Sequence, residues 1–213
     1  MEHNHLSDSP GWRSRGYIPH FEQPCLVQSI TVRLYDAVPE SLIEKWKIEL
    51  SWKRKLPSKD PRCAALRKQI DTYEDAGHGS CLLRNDRIAG IIESSLLHFD
   101  GELYRLLGWC VMPNHVHSLL DLFEGHPLTE VLHSFKSFTA HEANKELHRS
   151  GRFWFREYYD RYIRNAEHLQ AALEYVENNP VKANLIPHKE LWRWSSAWKC
   201  RRRGSAGVSP ATV

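Results

Sequence analysis

Tyr104-Arg105-Leu106-Leu107-Gly108-Trp109-Cys110-Val111-Met112-Pro113-Asn114-His115-Val116-His117-Ser118-Leu119-Leu120-Asp121-Leu122 reads as two strands joined by a tight turn. Apolar, β-branched and aromatic residues fill Tyr104 to Met112 and return from His115 to Leu122, and the Pro113-Asn114 pair between them breaks the ladder. Residues i and i+2 of a strand share a face, so His115 and His117 project together while Val116 points the other way. Two neutral imidazoles side by side suit a divalent metal, and two protein ligands leave positions open for substrate and water. Spacing alone is a weak signal. With 13 His among 213 residues, a pair separated by one residue arises about once by chance. His3-Asn4-His5 has the same spacing but sits in a polar stretch with no strand pattern, where a disordered end is expected. Only His115 and His117 have a scaffold.

Working outward, Leu26 to Tyr35 alternates in the manner of a strand. Pro39-Glu40-Ser41 opens a helix carrying Leu42, Ile43, Trp46, Ile48 and Leu50, which is expected to continue into charged residues, about Lys53 to Asp75, that decorate the surface. Arg87 to Phe99 places Ile88, Ile91, Ile92, Leu96 and Leu97 at helical spacing, and Asp100-Gly101 signals a turn before the hairpin. A long helix starts at Pro127-Leu128-Thr129-Glu130 and ends near Ser150-Gly151. Phe153 to Ile163 is aromatic and strand-like, and Ala166 to Asn178 is a last helix that Pro180 should stop. The order strand, helix, strand, strand, helix, strand, helix predicts an α+β fold: a ferredoxin-like sandwich, an antiparallel sheet with helices on one face. The expected organisation is an N-terminal arm over 1–20, a single domain over 21–198 with a charged helical insertion about 50–80, and a disordered basic tail over 199–213 rich in small residues.

Net charge is only +3, so bulk charge does not establish nucleic-acid binding, but the cations cluster: Lys53-Arg54-Lys55, Arg161 with Arg164, and Lys199, Arg201, Arg202 and Arg203. Rings are abundant, with 8 Trp and 8 Tyr, and rings interleaved with Arg and Lys suit unpaired bases as well as a core. The five cysteines, Cys25, Cys63, Cys81, Cys110 and Cys200, are odd in number and show no CxxC spacing, which argues against a disulfide framework or a zinc knuckle. No apolar run approaches the roughly 18 residues of a membrane span. A cytoplasmic protein without membrane attachment is expected.

A metal held by two histidines needs a task, and the last helix offers a nucleophile. In Leu173-Glu174-Tyr175-Val176-Glu177-Asn178-Asn179-Pro180-Val181-Lys182, Tyr175 and Asn179 are four apart and share a helix face. The Tyr175 hydroxyl could attack a metal-held phosphate while the Asn179 carbonyl supplies a third metal oxygen. A half-buried core ring is the competing reading of Tyr175, and spacing does not choose between them.

Taken together, several of these segments resemble a known family. Leu106 to Leu120 with its Pro113-Asn114-His115-Val116-His117 core, then Phe153-Trp154, Tyr159-Asp160-Arg161-Tyr162-Ile163-Arg164, Tyr175 to Lys182 and Trp192-Arg193-Trp194-Ser195-Ser196, resemble the REP-associated tyrosine transposases, within the wider IS200-like, single-tyrosine transposases of bacterial insertion sequences. The resemblance covers about residues 12–198, including Arg15-Gly16-Tyr17-Ile18-Pro19-His20-Phe21, and one departure from it is Ala183-Asn184, where the family pattern has Ala-Gly. It implies that His115 and His117 bind the metal, that Tyr175 is the catalytic tyrosine, and that Asn179 stands where the family places a third polar ligand. The ferredoxin-like fold it implies agrees with the element order.

The implied activity is cleavage and rejoining of single-stranded, hairpin-forming DNA through a 5′-phosphotyrosine with Mg2+ or Mn2+ and no nucleotide cofactor. Arg161, Arg164, Lys136 and Lys182 are candidate phosphate contacts, with surface ion pairing as the alternative for each, and Arg15 is a candidate for reading the sequence beside the hairpin. Two further functions stay open: a phosphoesterase that uses water at the same metal, and a non-catalytic or domesticated nucleic-acid-binding protein. Monomer and dimer are equally compatible with the sequence.

Overall fold

The computed structural model describes residues 12–14, 19–21, 26–52, 56 and 60–198. Arg15, the Lys53-Arg54-Lys55 cluster, His3-Asn4-His5 and the 199–213 tail lie outside the described residues. Within the stretch expected to be an arm, Trp12–Ser14 (β1) and Pro19–Phe21 (β2) pair antiparallel.

A four-stranded antiparallel sheet forms the centre. Its strands are Val27–Arg33 (β3), Tyr104–Val111 (β4), His115–Leu122 (β5) and Tyr159–Tyr162 (β6), ordered β4-β5-β3-β6. Helices Glu40–Glu49 (α1), Pro61–Asp75 (α2) and Asp86–His98 (α3) lie between β3 and β4, Leu128–Glu146 (α4) lies between β5 and β6, and Ala166–Lys182 (α5) follows. The expected antiparallel α+β sandwich is what the chain forms. Pro113 and Asn114 make a two-residue hairpin connection, with the Met112 N–H donating to the His115 carbonyl at 2.8 Å.

The main core lies on one face of the sheet. Ile30 and Val32 of β3, Leu34 just after it, and Val116, Leu120 and Leu122 of β5 meet Ile88, Ile92 and Leu96 of α3 and Leu128, Val131 and Phe135 of α4. These two helices are the layer expected on one face. The alternate residues of the same strands look the other way, and there α5 adds a second layer: Val176 packs with Cys110, Met112, Leu119 and Ile163. Thr31, Arg33, His115 and His117 share that second face by strand alternation, with Thr31 opposite His117 and Arg33 opposite His115.

The charged segment after α1 departs from expectation. It forms a separate helix, α2, that starts at Pro61 with the Asp60 carboxylate accepting from the Arg62 N–H, and α1 and α2 bury a small core of their own from Val38, Ile43, Leu66, Ile70 and Phe155. Its charged side does not decorate the surface. Glu74 is 1% exposed and pairs with Arg33 of β3 at 3.3 Å, and the Arg67 guanidinium donates to Thr31 at 3.1 Å.

Proline 180 does not stop α5 either, because it falls in the last turn, where its missing N–H forfeits a single helical bond. The stop is Asn184, at φ +56°: its N–H bonds the Val181 carbonyl and the Leu185 N–H bonds the Pro180 carbonyl, a Schellman closure. Asn is the best substitute for Gly in that left-handed position, which explains why the departure from Ala-Gly leaves the helix end intact.

Candidate active site

His115 and His117 sit on β5, held between β4 and β3, and both are buried, at 1% and 2% exposure. Their Nε2 atoms lie 2.9 Å apart. The Nδ1 atoms are bonded away from this point. His115 Nδ1 lies 2.7 Å from Asn114 Oδ1, and the Asn114 amide nitrogen donates to the carbonyls of Glu74 at 3.1 Å and His78 at 2.9 Å. Two carbonyl acceptors determine which end of the amide is nitrogen, so Asn114 Oδ1 is an acceptor and His115 Nδ1 carries the proton. His117 Nδ1 lies 3.0 Å from the Thr31 hydroxyl, which also takes the Arg67 bond.

The arrangement fits a divalent cation. Cis donors at about 2.1 Å from an octahedral ion stand about 3.0 Å apart, close to the separation of the two Nε2 atoms. Burial drives the His115 pKa down to about 3, against the opposing Asp75 carboxylate, and drives that of His117 well down too, with His115 adding to the effect. Both rings are therefore neutral at physiological pH, the state a ligand requires. Among the described residues no three His, Cys, Asp or Glu side chains gather around one point. A third protein donor would have to be of another type, and Asn179 supplies one: the side chain is fully buried, its nitrogen donates to the Tyr175 carbonyl at 2.8 Å, and its Oδ1 has no hydrogen-bond partner.

Tyr175 lies one turn earlier on α5, with its ring centroid 5.7 Å from that of His117 at an interplanar angle of 78°. The sheet face thus brings together the histidine pair and the tyrosine that sequence reading left open between core ring and nucleophile. At 39% exposure Tyr175 is the member of the group that reaches solvent. Burial of the rest of the ring holds its pKa well above a phenol's ordinary value, and the Asp71 carboxylate adds to this. Lys182 Nζ stands 5.3 Å from the ring centroid and donates to Asp75 Oδ2 at 2.6 Å, while Asp75 Oδ1 lies 4.0 Å from His115 Nε2.

Sequence reading missed the contribution of α2. Arg67, Asp71, Glu74 and Asp75 recur at i, i+4, i+7 and i+8, beside the apolar stripe of Leu66 and Ile70, and that charged stripe is the signal that could have been read. Arg67 pairs with Asp71 at 2.6 Å, and burial lifts the Asp71 carboxyl to about 6 against the pull of that guanidinium. Beside Tyr175, α2 and α5 flank a cavity of about 860 Å³ floored by β3 and β6, and Arg161 and Arg164 line it.

The other predicted phosphate contacts fare differently. Lys182 is at the site but engaged by Asp75. The Lys136 ammonium is committed elsewhere: it donates to the Phe155 and Arg156 carbonyls at 2.6 and 2.8 Å, and burial lowers its pKa to about 8, so its role here is to tie α4 to the chain after Trp154.

Residues 84–179 match the family described as transposase IS200 like. A Haemophilus influenzae protein provisionally named as a REP-associated tyrosine transposase is 25% identical over 97 residues, which cover 41% of this chain and 55% of that relative's length. A solved structure of a REP-associated tyrosine transposase bound to a REP hairpin shares the fold, with a TM-score of 0.54 over 94% of this chain and 93% of the other at 15% identity. No helix among the described residues is long and apolar enough to cross a membrane. Residues 84–179 are thus similar to the IS200-like transposases, and the chain is similar to REP-associated tyrosine transposases in sequence over 97 residues and in fold.

Proposed function

We propose that this protein cleaves and rejoins single-stranded, hairpin-forming DNA, with Tyr175 as the nucleophile and a divalent cation, Mg2+ or Mn2+, at His115, His117 and Asn179. The observation that carries the reading is the convergence of two neutral, buried Nε2 atoms 2.9 Å apart on the sheet face against which Tyr175 packs. The relative solved with a REP hairpin supplies the class of substrate.

In the cleavage step the Tyr175 oxygen bonds the phosphorus of a backbone phosphodiester and the bond from phosphorus to the 3′-oxygen breaks. The phenol proton departs and the 3′-oxygen gains one, leaving a 5′-phosphotyrosine and a free 3′-hydroxyl. Attack by a 3′-hydroxyl reverses the step, so the phosphodiester energy is kept in the covalent bond and joining needs no nucleotide. When bound, the cation supplies Lewis-acid stabilisation of charge on the phosphoryl oxygens. The protein's own groups do the positioning: Asn114 and Thr31 hold the imidazoles, and the Lys182 ammonium stands over the ring whose negative charge develops during attack. Because burial disfavours the free phenolate, proton loss and attack belong to one step.

The test is a denaturation-resistant adduct between the protein and a labelled single-stranded hairpin oligonucleotide in Mg2+ or Mn2+. Adduct is expected with the native chain and none with Tyr175→Phe. Cleavage that persists in Tyr175→Phe would instead indicate the water-dependent phosphoesterase.

A further inference from the structure

We infer that α2 is one wall of a slot that carries the unpaired strand away from the scissile phosphate, with Lys68 as a phosphate contact and Trp52 as a stacking ring. The inference rests on the DNA-cleaving reading above and adds to it an element that lies before the matched residues 84–179.

Three observations carry it. The first is the shape. The two helices are tied at their C-terminal ends by the 2.6 Å Lys182–Asp75 pair, and both line the 860 Å³ cavity, over Ser29 and Thr31 of β3 and Arg161 of β6. From Pro61 to Asp71 the α2 wall rises roughly 15 Å at 1.5 Å per residue. A space of this size matches that of a drug-sized ligand, room for a short run of unpaired nucleotides.

The second is the charge. Of the lining carboxylates, Asp60 is paired with Arg62, Asp71 with Arg67, and Asp160 stands opposite Ile30 on the other face of the sheet, whereas Lys68, Arg161 and Arg164 all line the cavity and form no ion pair among the described residues. Unneutralised cations around a slot beside the nucleophile suit successive backbone phosphates.

The third is the chemistry of the remaining lining. Ala171 and Ala172 make the α5 wall low enough for a backbone to pass, and Trp52 offers a ring of the kind on which bases stack irrespective of sequence. Tyr175 and Lys182 line the same cavity, so a strand held in it starts beside the nucleophile.

Binding of two labelled oligonucleotides by the full chain, followed by fluorescence anisotropy, tests the slot. One is a DNA hairpin, the other the same hairpin with a mixed-sequence single-stranded extension. In the native chain the extension is expected to tighten binding by about tenfold or more, the size of a single stacked base or a few phosphate contacts. That gain should shrink below about threefold in Lys68→Glu and in Ala171→Trp, two changes at exposed positions, with unchanged thermal melts as the folding check. A full gain in both variants would overturn the slot and leave the cleavage reading standing, as would a native chain that binds the bare hairpin and gains nothing from the extension. A native chain that binds neither oligonucleotide would overturn the DNA reading itself.

Discussion

Asn114 shows how one side chain serves both site and scaffold. Its oxygen sets the protonation of His115 and its nitrogen clasps the end of α2 through Glu74 and His78, so the hairpin turn and the inserted helix are bound by the same amide. A partner of this kind is expected to matter to metal affinity by about 10- to 100-fold. Asn114→Ala and Thr31→Val should each weaken Mn2+ binding to the DNA-free protein by that amount in titration calorimetry. Native affinity in both variants would show that these bonds do not hold the imidazoles for a metal. The His-x-His spacing was readable from the chain because strand alternation is local, and so was the pairing of Tyr175 with Asn179 one helical turn apart. The bonds from Asn114 to residues 36 and 40 positions away were not, because an amide's partners depend on what the fold brings near it.

The elements differ in how legible they were. Strands β3 to β5 and helices α3 and α4 announce themselves by the spacing of apolar residues, and the structure places them within a residue or two of expectation at most boundaries. Helix α2 did not, because a helix whose polar side is charged reads as solvated when the charges are in fact matched to Arg33, Thr31 and Lys182 across the sheet face. The loop that returns from α2 to α3 is built for close approach: Gly79 has φ +85°, and a Cβ there would lie 2.6 Å from the Asp36 carbonyl oxygen. Next to it, Ser80 donates its N–H to the Asp36 carboxylate at 2.8 Å. Gly79→Ala therefore meets both a left-handed backbone and main-chain atoms that cannot yield, and is expected to cost on the order of 1–3 kcal/mol. A drop of several degrees in Tm would register this, whereas an unchanged melt would mean the loop relaxes without loss.

At the scale of the whole molecule, the sheet divides two kinds of work. One face carries the large apolar core under α3 and α4, while the other carries the histidine pair, α5 and the inserted α2, with its smaller core of five buried hydrophobic residues. Stability should follow that division. Amide hydrogen exchange is expected to be markedly faster in α1 and α2 than in β3 to β5, because the local opening of the small unit exposes less apolar surface than opening the main core. Equal protection across both would show that α1 and α2 open only with the global fold.

What the sequence by itself determined is whatever repeats over a few residues: the alternation that makes the hairpin and pairs His115 with His117, the helical spacing of Tyr175 and Asn179, and the element order that selects a ferredoxin-like sheet. Only the tertiary structure decided that Tyr175 meets His117 across the sheet, that Lys136 serves the scaffold, and that a charged helix some forty residues before the hairpin walls the site. The reason is range. Hydrophobic periodicity is written into neighbouring residues, but a contact such as Lys182 with Asp75, 107 positions apart, exists only once burial of two separate cores has brought their helices to the same face.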